Sequence, residues 1–268
     1  MNGKWTLVGL CALCALVFSG LAAQSAVAGG TTAVTCKPVS ENRQFSDAHC
    51  KTPQGGAGAG FRHIEIAENT TTEVTVTNEA TPGETEGLRL RTIVAGVEFE
   101  ILASNVHGVG TLHNIMLGGE HVITQTITTA WSKVEVVKPA GKGCVVREKE
   151  GGTVGTITTN SLMVSSEGQG MALKTSPTAG TQLASFFVEG CTVPALNGKK
   201  EISGSVASTE ITGATSRFTE AGTTEQGTLH FGGATGPKAG LSCTYTYKGK
   251  HDAGGDPEYT PLAFTTTP

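Results

Sequence analysis

From Phe61 onward the chain is a succession of short runs in which threonine, valine and isoleucine alternate with other residues at a period of two. No window of helical length carries a 3.6-residue period, so extended backbone with one face turned inward is the structure this pattern allows. The runs fall at 63–67, 72–78, 88–94, 97–102, 110–117, 121–129, 134–138 and 144–148, and continue at 153–159, 161–165, 171–175, 184–188, 201–206, 227–231, 241–248 and 262–266. Gly118-Gly119, Gly151-Gly152 and Gly198-Lys199 mark turns between them. So many strands exceed one small sandwich, and the expectation is an all-β protein of antiparallel, sandwich-like sheets in two packed units, 61–150 and 151–268, or in one large one. Gly110-Thr111-Leu112-His113 returns as Gly227-Thr228-Leu229-His230, a faint echo in keeping with two units.

Residues 1–28 read as an export leader. Lys4 supplies the positive start, residues 5–22 are almost uninterruptedly apolar, and Ala26-Val27-Ala28 gives the small-x-small pattern cut by signal peptidase before Gly29. The competing membrane anchor has an apolar run about as short as a spanning helix can be, followed by glycine, alanine and serine where a basic flank would stand. Neither Cys11 nor Cys14 follows the small residue that a lipid-attachment signal places there. The processed chain is therefore expected to be secreted or held at the cell surface, with no transmembrane segment of its own. The leader holds one of the 19 Lys+Arg and none of the 23 Asp+Glu, so processing makes the chain more acidic than the net −4 of the whole. That balance argues against nucleic acid as a partner.

Past the leader stand Cys36, Cys50, Cys144, Cys191 and Cys243, an odd number in a compartment that favours oxidation. Cys36 and Cys50 flank a short polar loop, easily closed, and form the expected bridge within a 29–60 segment of disulfide loop and glycine-rich linker. Cys191 with Cys243 is the expected second bridge. A nucleophilic reading of Cys50 beside His49 fails on direction, because neighbours on extended backbone point to opposite faces.

Other chemistry is thinner still. Gly240-Leu241-Ser242-Cys243-Thr244 approaches the nucleophile elbow of a serine hydrolase but lacks its closing glycine. His107, His113 and His121 are divided by glycine-rich stretches, and none has the spacing that sets two imidazoles on one strand face. Asp252, Asp256 and Glu258 around Gly254-Gly255 depart from the spacing of known calcium loops. Carboxylates paired across a cleft, as a glycosidase requires, are available to any chain this acidic. No cofactor or metal is implied. Tyr245 and Tyr247, two apart on one strand, put both rings on one face, and with Trp131 they are the candidate binding residues, a platform for stacking sugar rings. The same rings also suit a sheet interior, which is the more ordinary place for them, and the platform is kept beside that reading.

The run Val136-Val137-Lys138-Pro139-Ala140-Gly141-Lys142-Gly143-Cys144, then Gly155-Thr156-Ile157-Thr158-Thr159-Asn160 and Glu189-Gly190-Cys191-Thr192-Val193-Pro194-Ala195-Leu196-Asn197-Gly198, with Tyr259-Thr260-Pro261-Leu262 near the end, resembles an uncharacterised secreted β-rich family of high-GC Gram-positive bacteria. The resemblance implies export and assigns no active site. It also implies a further cysteine where this chain has Val134, which would leave Cys144 without a partner. The expected function is a non-catalytic binding or structural module that contacts cell-wall polymer, glycan or another surface protein. The alternative is an exported hydrolase acting on carbohydrate through paired carboxylates.

Overall fold

The computed structural model describes residues 30–47, 50, 52–54, 58–78, 87–166, 172–212, 215–222, 227–251 and 258–267. The leader, His49 and the acidic turn at 252–257 lie outside them. Strands in chain order are β1 (Gly30–Pro38), β2 (Phe61–Glu65), β3 (Thr72–Asn78), β4 (Leu88–Val94), β5 (Val97–Leu117), β6 (Glu120–Lys138), β7 (Val145–Arg147) and β8 (Thr156–Ser166). They continue as β9 (Ala172–Pro177), β10 (Gln182–Glu189), β11 (Gly198–Ala207), β12 (Glu210–Thr212), β13 (Thr215–Ala221), β14 (Gly227–Phe231), β15 (Lys238–His251) and β16 (Glu258–Thr267). A 3-10 turn at Pro194–Leu196 interrupts the strands. Among the described residues no helix is long and apolar enough to cross a membrane.

The protein is all-β, and among the described residues its pairings are antiparallel except for one parallel contact of β1 with β6. Its frame is the long hairpin of β5 (21 residues) and β6 (19 residues). The far edge of β5 pairs with β4 near its start and with β3 further on, and both of these pair in turn with β15. Two closed circuits grow from this wall. One runs β6, β8, β9, β11, β14, β15, β4, β5, and the other β1, β6, β5, β3, β15, β16. Strands within a circuit are paired on both sides, while among the described residues β2, β7 and β12 each pair with one strand and remain at edges.

The period of two explains which side is buried. In β3, Thr72, Val74 and Val76 face inward while Glu73 and Thr77 face water; in β4, Leu88 and Leu90 are buried, and Arg89 and Arg91 lie on the other face. The buried side chains form two clusters. The larger cluster includes Phe99, Phe186, Phe218, Phe231, Ile157 and Leu196, and the smaller Val74, Leu112, Ile123, Tyr247, Leu262 and Phe264.

These circuits differ from the two units expected along the sequence. β6 pairs with β8 from Thr124 to Ser132, across the expected boundary at Gly151-Gly152, and β15 pairs with β3 and β4. Segments 61–150 and 151–268 thus interleave in shared sheets, and the pairing that divides the molecule is spatial. The 29–60 segment is likewise no appendage: β1 joins β16, β2 and β6, and the Asn114 side chain hydrogen-bonds the Ala33 N–H at 2.9 Å, the Ala33 carbonyl at 3.0 Å and the Ile66 carbonyl at 2.8 Å.

Two disulfides form. Cys36–Cys50 is as expected, with Cα atoms 5.7 Å apart. The second is Cys144–Cys191, which corrects both the Cys191–Cys243 pairing and the implied orphaning of Cys144; Cys243 is the buried free thiol. The local reason is glycine. Gly143 and Gly190 precede the two cysteines at φ +68° and +73°, and a Cβ on either would sit 3.2 or 2.9 Å from the other's carbonyl oxygen, so only glycine lets these backbones come so close. Cys243 instead lies on β15, paired in register with Phe218 inside the larger core.

Candidate functional site

The three rings proposed as a platform are interior. Trp131 is 4% exposed and Tyr247 0%. Tyr247 meets Phe264 edge-on at 5.1 Å, and its hydroxyl lies 2.8 Å from the Ser216 hydroxyl and 3.5 Å from Met163 Sδ. Tyr245, half-buried, packs against both clusters and lies 5.6 Å from Phe218. Tyr245 and Tyr247 do share a face, but it is the inward one, so this corrects the exposed platform in favour of the core reading. Large apolar rings gain most from burial, and both clusters needed them.

A cavity lies where the two clusters meet, between Trp131, Phe218 and Leu241 on one side and Val76, Ile127 and Met163 on the other. Thr129, Thr159, Ser161 and Thr175 bring hydroxyls to its wall.

The outer face offers a groove of about 530 Å3 beside the β4–β5 turn, lined by Arg91, Ile93, Glu98, Glu220, Pro237 and Lys238. The turn is a two-residue connection with Ala95 and Gly96 at φ +48° and +80°, the signature of a type I′ hairpin. It puts the alternating arginines of β4 opposite the alternating glutamates of β5. Arg91 Nε donates to Glu100 Oε2 at 3.1 Å and lies 3.5 Å from Glu98, while its Nη1 is 3.4 Å from Glu220. Arg89 also contacts Glu100, and Lys138 Nζ reaches Glu98 at 2.8 Å. Burial alone would raise the Glu100 carboxyl, but the hydrogen bonds from Arg91 and Arg89 outweigh it and hold the group below its ordinary value.

Chemically, this arrangement keeps the Glu100 carboxylate ionised. A glycosidase needs one carboxyl that retains its proton near neutral pH. In the groove Arg91 stands between Glu98 and Glu220, 3.5 and 3.4 Å from their carboxylates. What remains free to meet a ligand is Ile93, 60% exposed, and the exposed Lys238, whose backbone carbonyl accepts from the Thr92 hydroxyl at 2.8 Å.

Ser242 of the near-elbow donates to Glu220 at 3.3 Å, and Cys243 beside it is buried. His121 Nδ1 lies 3.6 Å from Glu68, and among the described residues no three His, Cys, Asp or Glu side chains gather as metal ligands. The groove was missed because Arg91 and Lys238 are far apart in the chain. Part of it was readable: Arg89-x-Arg91 and Glu98-x-Glu100 flank a two-residue turn, which predicts cross-strand ion pairs. No family model, no curated protein and no solved structure matches this chain.

Proposed function

We propose that the protein is an exported, surface-associated β scaffold that binds without catalysing, and that the β4–β5 groove receives its partner: wall polymer, glycan or another surface protein. The observation that carries this reading is the pairing of Glu98 and Glu220 through Arg91 around the exposed Ile93. It ties both carboxylates of the groove to one guanidinium and leaves an exposed apolar side chain beside Lys238. Export rests on the leader and on the resemblance to a secreted family, and two disulfides agree with an oxidising compartment.

The test is binding of the full-length protein to purified wall polymers, a glycan array and candidate surface proteins, alongside Ile93→Asp and Lys238→Glu. Loss of binding in both variants with an unchanged thermal midpoint supports the groove; binding untouched by either overturns it. The second reading, a carbohydrate hydrolase, is favoured by one feature, two carboxylates lining the same groove. Sugar release that disappears in Glu220→Gln would establish it in place of the binder.

A further inference from the structure

The cavity between the two cores contains groups that a dry interior does not tolerate. Trp131 and Thr175 both line it, and the Trp131 indole N–H and the Thr175 hydroxyl are buried with no hydrogen-bond partner. Trp131 is more than nine-tenths buried. Two residues before Ile127 on β6, Gln125 is 1% exposed and leaves both its amide oxygen and its nitrogen unpartnered; it pairs in register with Met163, which does line the cavity. Buried polar groups are nearly always satisfied, because each one left unmade carries the full cost of leaving water. Several unsatisfied atoms around one space therefore point to an occupant.

Size and charge define that occupant. The cavity leaves about 30 Å3 for the centres of water-sized molecules, room for about two waters. Its wall has hydroxyls, an indole and a thioether and no charged side chain, so it offers nothing to neutralise an ion. A purely apolar cavity stays empty, whereas one lined by hydroxyls holds polar guests.

We propose that this cavity is an internal binding site for a small uncharged hydrogen-bonding guest, which accepts from the Trp131 indole N–H and bonds the Thr175 hydroxyl. Water and small neutral alcohols or amides share this chemistry. The site is independent of the outer groove, and its failure leaves the proposed function untouched.

Three readouts on the whole chain test it. In nitrogen-15 spectra the Trp131 indole N–H, told from that of Trp5 by a Trp5→Phe variant, should show magnetisation transfer from long-lived bound water or from a guest. Native mass spectrometry separates the two sources: a retained mass increment means an organic guest, and transfer from water without an increment means water, either of which supports the site. Thr175→Val supplies a sign. In an occupied cavity it removes a bond and lowers the melting temperature by about 2–4 °C; in a dry one it removes an unsatisfied hydroxyl and raises it. An indole N–H with no water or guest signal overturns the proposal, as does a rise in melting temperature in Thr175→Val; if that variant does not fold, the indole signal alone decides.

Discussion

The two cores are built differently although they share strands. The larger one joins Phe99, Phe186 and Phe231, with ring centroids 5.3 and 6.1 Å apart, and contains Cys191 of the Cys144–Cys191 bridge. The smaller one takes Ala33 from β1 and Leu262 and Phe264 from β16, the first and last described strands, and Asn114 pins β1 beside it through three hydrogen bonds. One core rests on aromatic packing with a covalent staple, the other on strands that must be brought from opposite ends of the described chain. The second should therefore open first, since local openings start where fewest apolar contacts hold.

Four outcomes test this difference, from the largest effect down. Phe186→Ala should cost about 3–5 kcal/mol in urea unfolding, because a fully buried ring leaves a cavity that its neighbours fill poorly, and it should weaken both cores together. A loss confined to one core would show that they unfold separately. Asn114→Leu should cost about 1–3 kcal/mol by leaving the Ala33 and Ile66 groups unpaired. Its hydrogen exchange should accelerate in β1 and β16 and stay unchanged around Phe186; equal acceleration throughout would erase the contrast.

The third outcome is a pH response of the β4–β5 wall. Because the Glu100 carboxyl is held below its ordinary value when folded, its stabilisation is fully present above the unfolded value of about 4.3 and is lost as pH falls through the depressed folded one. Glu100→Gln should flatten the stability profile in that acid range, and a variant profile as steep as the parent's would remove Glu100 from the account. The smallest effect is an absence of reaction. Burial pushes the Cys243 thiol up to about 12, with the Tyr245 hydrogen bond acting the other way, so a thiol reagent at pH 8 should leave it unmodified until the larger core is unfolded. Rapid labelling of the folded protein would mean that this core is open at β15.

Strand existence was legible in the alternation; strand length was not. Residues 72–78, 88–94 and 227–231 fold as read. The runs 97–102 and 110–117, however, are one strand, because Gly108 and Gly110 do not turn the chain. A Cβ on Gly110 would fall 1.9 Å from the Thr126 carbonyl oxygen, so this glycine admits a neighbouring strand. Strand β1 was hidden for another reason: Thr31, Thr32 and Thr35 are buried beside Ala33 and Val34, so both faces are covered and no alternation marks it. The second disulfide was encoded in the repeated Gly-Cys of 143–144 and 190–191, a signal that spacing alone does not display. Trp131, Tyr245 and Tyr247 could not be placed, since parity tells which residues share a face and leaves open whether that face is inside.

Gly30 lies opposite Thr267 in the β1–β16 ladder. The ends of the described chain thus meet across one seam, and the circuit through β16 cannot be sealed until that strand arrives. A circular permutant joining these ends through a short linker and opened instead at the exposed Gly118-Gly119 turn would keep every rung of the ladder while making the seam a continuous hairpin. In such a molecule the seam closes locally, but the β5–β6 pairing becomes the long-range step, so refolding should slow without any change in what the finished walls enclose.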